Sequence, residues 1–160
     1  MATIAVRPLA DEEIPIYLKI VNSAIKGLAV SHYSADAIAG WIVPITEAMV
    51  AELKLNRERE IRLIAEIDGV PAGIGALVAE REELRACYVT PAAARRGCGR
   101  ALVRELERLA HTHGLKRLGL AASLNAEPFY QALGYSVRER SDVVLPNGHR
   151  MAAVWMEKLL

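Results

Sequence analysis

The chain of 160 residues suits a single domain, and its 52% hydrophobic and 24% charged residues are ordinary for a globular protein with a real core. A net charge of +1, built from well-mixed charges, gives no electrostatic reason to expect nucleic acid or a membrane surface as partner, although small anionic ligands respond to local charge and stay open. The only cysteines, Cys87 and Cys98, have no CxxC neighbour, so neither a disulfide framework nor a metal site is expected, and a reducing cytoplasm is the expected compartment.

In chain order, the opening residues lack a basic segment leading into an apolar run, so no secretory leader is expected. Residues 3–7 alternate like an edge strand. Asp11, Glu12 and Glu13 mark a helix start, where acidic side chains oppose the dipole, and Ile14, Leu18, Val21 and Ile25 recur at helical spacing until Gly27. A second helical stretch runs from Ser34 to about Asn56, with Pro44 predicting a kink or a break. Its most apolar part, residues 38–50, is interrupted by Pro44, Thr46 and Glu47 and is too short and polar to span a bilayer.

From Ile61 the period changes to two. Residues 61–67 and 72–79 flank Asp68-Gly69, a strong hairpin signal, and a third strand follows at residues 84–89. Gly97-Cys98-Gly99 opens an amphipathic helix whose stripe is Leu102, Val103, Leu106, Leu109 and Ala110, stopped by Gly114. His111 and His113 sit near its end and face opposite sides, which makes a shared metal improbable on geometry. Residues 115–122 read as a strand, 126–133 as a short helix ended by Gly134, and 135–145 as a strand. Asn147-Gly148 then turns the chain into a last strand, 150–158. The order predicts a mixed α/β sheet of about seven strands flanked by about four helices.

The most informative segment runs from Tyr88 to Ala101, a strand entering a tight turn that opens directly into a helix. Glycines at 97 and 99 let the backbone approach a ligand closely, and the first helical turn offers unpaired N–H groups at the positive end of the dipole. Arg95, Arg96 and Arg100 add charge whose planar fork suits phosphate. The pattern is neither GxxxxGK[ST] nor GxGxxG. An ordinary strand–helix turn with solubilising arginines is the competing reading, but strand, arginines and helix together favour a diphosphate.

This segment resembles the acetyl-coenzyme A (acetyl-CoA) motif of the GCN5-related N-acetyltransferase family, Gln/Arg-x-x-Gly-x-Gly/Ala, with Ala94 at the Gln/Arg position as a departure that Arg95 or Arg96 would compensate. A second stretch, Asn125-Ala126-Glu127-Pro128-Phe129-Tyr130-Gln131-Ala132-Leu133-Gly134-Tyr135, resembles the family's Asn…Phe-Tyr-x-x-x-Gly-Phe/Tyr segment, about thirty residues further on. The resemblance implies an acyl-CoA N-acyltransferase fold over residues 1–160, with acetyl-CoA as co-substrate. It also implies a splay between the fourth and fifth strands that frees backbone amides at Cys87, Tyr88 and Val89 for the acetyl carbonyl and pantetheine arm. The turn from Arg95 through Arg96, Gly97, Cys98, Gly99 and Arg100 to Ala101 would hold the diphosphate.

Tyr130 is expected to protonate the departing thiolate, with Phe129 and Leu133 turned to the core and Tyr130 near the cleft; the alternative is a half-buried core tyrosine. Glu83, with Glu82 behind it, is the expected base for an amine that titrates near ~10.4 when unassisted, against the alternative of a solvated acidic face. Asn125 either caps the following helix or binds the pantetheine arm. Cys98 is read as packing beneath the turn rather than as a nucleophile. His32 and His149 read as isolated turn or surface residues. The function expected is transfer of acetyl to a primary amine of a small molecule or peptide, directly in a ternary complex. An acyl-CoA-binding module without turnover and a nucleotide-binding domain are the alternatives. The apolar final strands around Val143, Val144, Val154 and Trp155 allow a homodimer or a plain sheet edge.

Overall fold

A computed structural model describes residues 2–160. The elements are β1 (Ile4–Pro8), α1 (Ile14–Leu28), α2 (Ala35–Trp41), α3 (Glu47–Leu55), β2 (Ile61–Ile67), β3 (Val70–Val78), β4 (Glu83–Val89), α4 (Cys98–Thr112), β5 (Arg117–Ser123), α5 (Glu127–Ala132), β6 (Ser136–Val144) and β7 (Arg150–Leu159). Five helices replace the expected four, because the second helical stretch breaks where Pro44 lacks an N–H and disfavours helical geometry before it. The buried Asn22 side chain satisfies the freed backbone there, donating to the Val43 carbonyl at 2.7 Å and accepting from its amide at 2.9 Å. Thr46 then caps α3 by accepting from the Met49 amide.

All seven strands form one sheet in the order β1-β2-β3-β4-β5-β7-β6. Strand alternation sends Ile64 and Ile74 to one face, where α1 packs through Ile14, Leu18, Val21 and Ile25. Leu63, Ala65, Leu77 and Leu118 meet the α4 stripe of Leu102, Val103, Leu106 and Ala110. The β2–β3 hairpin closes through Asp68 and Gly69, both at positive φ (51° and 81°), the geometry of a primed two-residue turn. Among the described residues no helix is long and apolar enough to cross a membrane.

Every neighbouring pair of strands is antiparallel except β4 and β5, which run parallel and share a single residue pair, Glu83 with Gly119. Beyond that pair the two strands diverge, and the sheet opens. Arg85 is the extra residue of a bulge in β4: Ala76 pairs with Ala86 and the next pair is Leu77 with Leu84. Of the apolar residues on the last two strands, Val154 is buried, Val143 is half-buried, and Val144 and Trp155 are exposed.

Candidate active site

The divergence of β4 from β5 leaves one edge of β4 without a partner strand. Thr90 donates to the Ala72 carbonyl of β3 at 2.8 Å, and the register through Gly73–Val89, Ile74–Tyr88 and Gly75–Cys87 is regular. Alternation therefore turns the Tyr88 amide toward β3 and the Cys87 and Val89 amides into the gap. Sequence reasoning offered all three amides; the register leaves two. Tyr88 contributes its side chain instead, which lines the gap and accepts a hydrogen bond from Trp41 Nε1 at 3.2 Å.

At the end of β4 the chain crosses a short turn and enters α4. Gly97 is the N-cap, at φ 89°, a conformation that costs a residue bearing Cβ about 1–2 kcal/mol. A Cβ on Gly99 would lie 3.1 Å from the Phe129 ring, so a larger residue there would require that ring to shift. Ala101 is the first amide of α4 to reach a backbone carbonyl, that of Gly97, and the amides of Cys98, Gly99 and Arg100 stand free at the positive end of the dipole. Arg95 takes a left-handed conformation (φ 61°). Arg95, Arg96 and Arg100 are exposed, and none pairs with an acid among the described residues.

A cleft of about 660 Å³ runs from this turn into the gap. Its floor at the turn is Arg95, Gly97, Gly99 and Arg100; its walls are Ile25 and Leu28 of α1 on one side and Phe129 and Leu133 on the other. Arg96, Cys98 and Ala101 do not line it; Cys98 is buried beneath the turn, its sulfur 2.9 Å from where a Cβ on Gly73 would lie. Further in, Cys87, Val89 and Asn125 border the cleft. Asn125 makes no cap hydrogen bond to α5, and its Oδ1 is buried without a partner, an acceptor awaiting a donor.

A second cavity of about 180 Å³ lies across the gap and shares Trp41, Cys87, Tyr88, Ser123 and Ala126 with the cleft. Tyr130 lines it. The expected facing of α5 is thus reversed: Phe129 and Leu133 wall the cleft, while Tyr130 sinks into the core, its ring edge-on to Phe129 at 5.0 Å and Tyr135 at 5.7 Å. Burial holds the Tyr130 hydroxyl protonated well above the usual tyrosine range, with Cys87 and Tyr88 reinforcing this, and no protein group among the described residues hydrogen-bonds it. Burial also pushes the Cys87 thiol up to about 12 and raises that of Cys98, so neither is a thiolate near neutrality.

Glu83 stands apart. It lines neither cavity, and both of its oxygens accept from Arg85, at 2.7 and 3.1 Å. Glu82 lies on the far side of the turn, against Arg117 at 3.4 Å, and does not line them either. Residues from the α1–α2 connection and from α2 complete the site without any sequence signal having marked them. Tyr33 donates from its hydroxyl to the Ala152 carbonyl (2.6 Å) and accepts from the Leu124 amide (2.7 Å), and Trp41 packs edge-on against it at 5.7 Å. This aromatic bridge spans the opening from Tyr88 of β4 to the strands beyond β5.

The model of the acetyltransferase (GNAT) domain family matches residues 29–159. Among solved structures, a GCN5-related N-acetyltransferase from Rhodopseudomonas palustris is 30% identical, covers 99% of this chain and 96% of its own, and superposes with a TM-score of 0.89. PaiA N-acetyltransferase from Thermoplasma acidophilum, in complex with coenzyme A, is 21% identical over 99% of each chain, with a TM-score of 0.76. A phosphinothricin acetyltransferase from Sinorhizobium meliloti, in complex with acetyl-CoA, is 18% identical over 99% of this chain and 89% of its own, with a TM-score of 0.72. No curated protein gives a significant match by sequence. The match across most of the chain and the close agreement in fold place this chain in the GNAT acetyltransferase family.

Proposed function

We propose that the protein is an N-acetyltransferase that moves the acetyl group of acetyl-CoA directly to a primary amine in a ternary complex. The observation that carries this reading is a cleft that runs from the arginine-flanked α4 N-terminus into the gap at Cys87 and Val89, where it adjoins a second cavity lined by Tyr130. The residues fit the coenzyme: free amides and Arg95 and Arg100 suit its diphosphate, and the orphaned Asn125 Oδ1 suits an amide donor on its pantetheine arm. Two fold relatives hold coenzyme A or acetyl-CoA.

Bound acetyl-CoA supplies a thioester whose carbonyl carbon accepts the amine lone pair as the carbon–sulfur bond breaks. The Cys87 and Val89 amides stabilise negative charge on the carbonyl oxygen. Tyr130 gives its proton to the leaving sulfur and regains one from water, while the acylated nitrogen loses its proton to water. Among the described residues no carboxylate lines either cavity, so we give the base role to solvent and not to Glu83. The protonated cysteines support transfer without an acyl-enzyme.

Release of free thiol with an amine panel tests this reading. Intersecting initial-velocity lines and an unmodified enzyme mass are expected; parallel lines or an acetylated enzyme would refute direct transfer. The lack of a lining carboxylate favours one second reading, a coenzyme-binding module without turnover, which predicts tight binding in calorimetry and no thiol release with any amine.

A further inference from the structure

The second cavity says what kind of amine it receives, on the assumption that the acetyltransferase reading holds. Its far wall is Leu145, Met151 and Ala153 from the β6–β7 hairpin, and its near wall is the aromatic trio Trp41, Tyr88 and Tyr130. Among the described residues only one charged residue lines it, Arg85, and that guanidinium is already committed. It donates to Glu83 through two nitrogens, to Glu60 at 3.2 Å, and to Glu58. Arg81 also holds Glu58 and Arg62 holds Glu60, so three guanidiniums and three carboxylates balance and leave no charge of either sign spare. A carboxylate on the acceptor would find no free cation, and a second ammonium would find no anion, so either would be buried unpaired at a cost of several kcal/mol.

An apolar body meets the opposite circumstances. The lining side chains offer methyl, thioether and ring surface beside uncharged polar groups such as Ser123, and aromatic faces tolerate a single ammonium before it loses its proton. A cavity of about 180 Å³ is the size that takes one benzene-like ring, since apolar cavities of ~150 Å³ accept benzene. We propose that the acceptor is a small apolar monoamine: one aryl ring or a short branched alkyl body, a single primary amine, and no carboxylate. The amine reaches the gap at Cys87 and Ser123, where this cavity meets the coenzyme cleft.

Matched pairs test the assignment with the full chain and acetyl-CoA. Phenethylamine and phenylalanine differ by one carboxylate; butylamine and putrescine differ by one ammonium. The expected kcat/KM favours phenethylamine and butylamine by about tenfold or more within each pair. Ala153→Leu, which fills the cavity, should raise KM for phenethylamine about tenfold with the acetyl-CoA Kd from calorimetry unchanged. Equal or better turnover of phenylalanine or putrescine overturns the assignment while leaving the acetyltransferase reading in place. Coenzyme binding with no turnover of either monoamine overturns it too. A preference for butyryl-CoA over acetyl-CoA that Ala153→Leu abolishes would make the cavity an acyl-chain pocket instead. Failure to bind acetyl-CoA at all removes the underlying reading as well.

Discussion

Replacing Tyr130 by Phe separates chemistry from stability unusually well in this structure. The hydroxyl has no protein partner, so its removal deletes no hydrogen bond and strands no buried donor. The ring contacts, at 5.0 Å to Phe129 and 5.7 Å to Tyr135, persist with phenylalanine. The folded state should therefore change by no more than about 0.5 kcal/mol, and Tm by about 2 °C at most for a chain of this size. The proton it gives to sulfur is worth at least about a hundredfold in rate, or roughly 2.7 kcal/mol of barrier. Saturating thiol-release kinetics alongside thermal unfolding by circular dichroism reads both quantities. A kcat within about threefold of the parent, or a Tm loss of many degrees with a proportionate rate loss, would show that Tyr130 is only a packing residue.

Gly97→Ala forces an unfavourable φ at the α4 N-cap and should weaken acetyl-CoA by about tenfold in calorimetry, for a strain of about 1–2 kcal/mol. Glu83→Gln should leave kcat within about twofold, because Glu83 lines neither cavity; a large loss that steepens with falling pH would return it to the base role. Turnover should rise with pH between 7 and the pKa of the amine, about tenfold per unit, since only the neutral amine attacks and Tyr130 stays protonated throughout. The Arg7 guanidinium holds the Glu13 carboxyl down at about 2, and its folded-state pKa is thus below its unfolded value. The stability this contributes is present above pH ~4.5 and fades as pH falls toward 2, so the Tm difference between the parent and Glu13→Gln should shrink over that window.

Much of the scaffold was legible because its signals are local. Asp68-Gly69 codes a primed turn by conformation alone, and Gly97 and Gly99 mark the α4 entry by what they permit. Pro44 announced an interruption, but only Asn22, distant in sequence, shows how the broken backbone is satisfied. Site residues at long sequence separation were illegible. The Tyr33 hydroxyl finds Ala152 at a separation of 119 residues and Trp41 finds Tyr88 at 47, and neither aromatic carries a motif. Spacing showed that Phe129 and Leu133 share a face of α5 but not which way that face turns, since the cleft and the core lie on opposite sides of a six-residue helix. Glu83 and Glu82 both flank a turn in sequence, and only the fold shows Glu83 held by Arg85 and Glu82 against Arg117. Strand register, likewise hidden in sequence, withdrew the Tyr88 amide from the gap.

The lone Glu83–Gly119 pairing makes the sheet two panels, one of four strands and one of three, meeting at a pivot. Widening their far ends ruptures no ladder; it disturbs side-chain contacts, chiefly the strap of Tyr33, Trp41 and Tyr88. The width of the opening is therefore set by the bulk of a few aromatic rings rather than by backbone pairing. Change at those rings can retune what enters from one side while the diphosphate turn on the other keeps its shape.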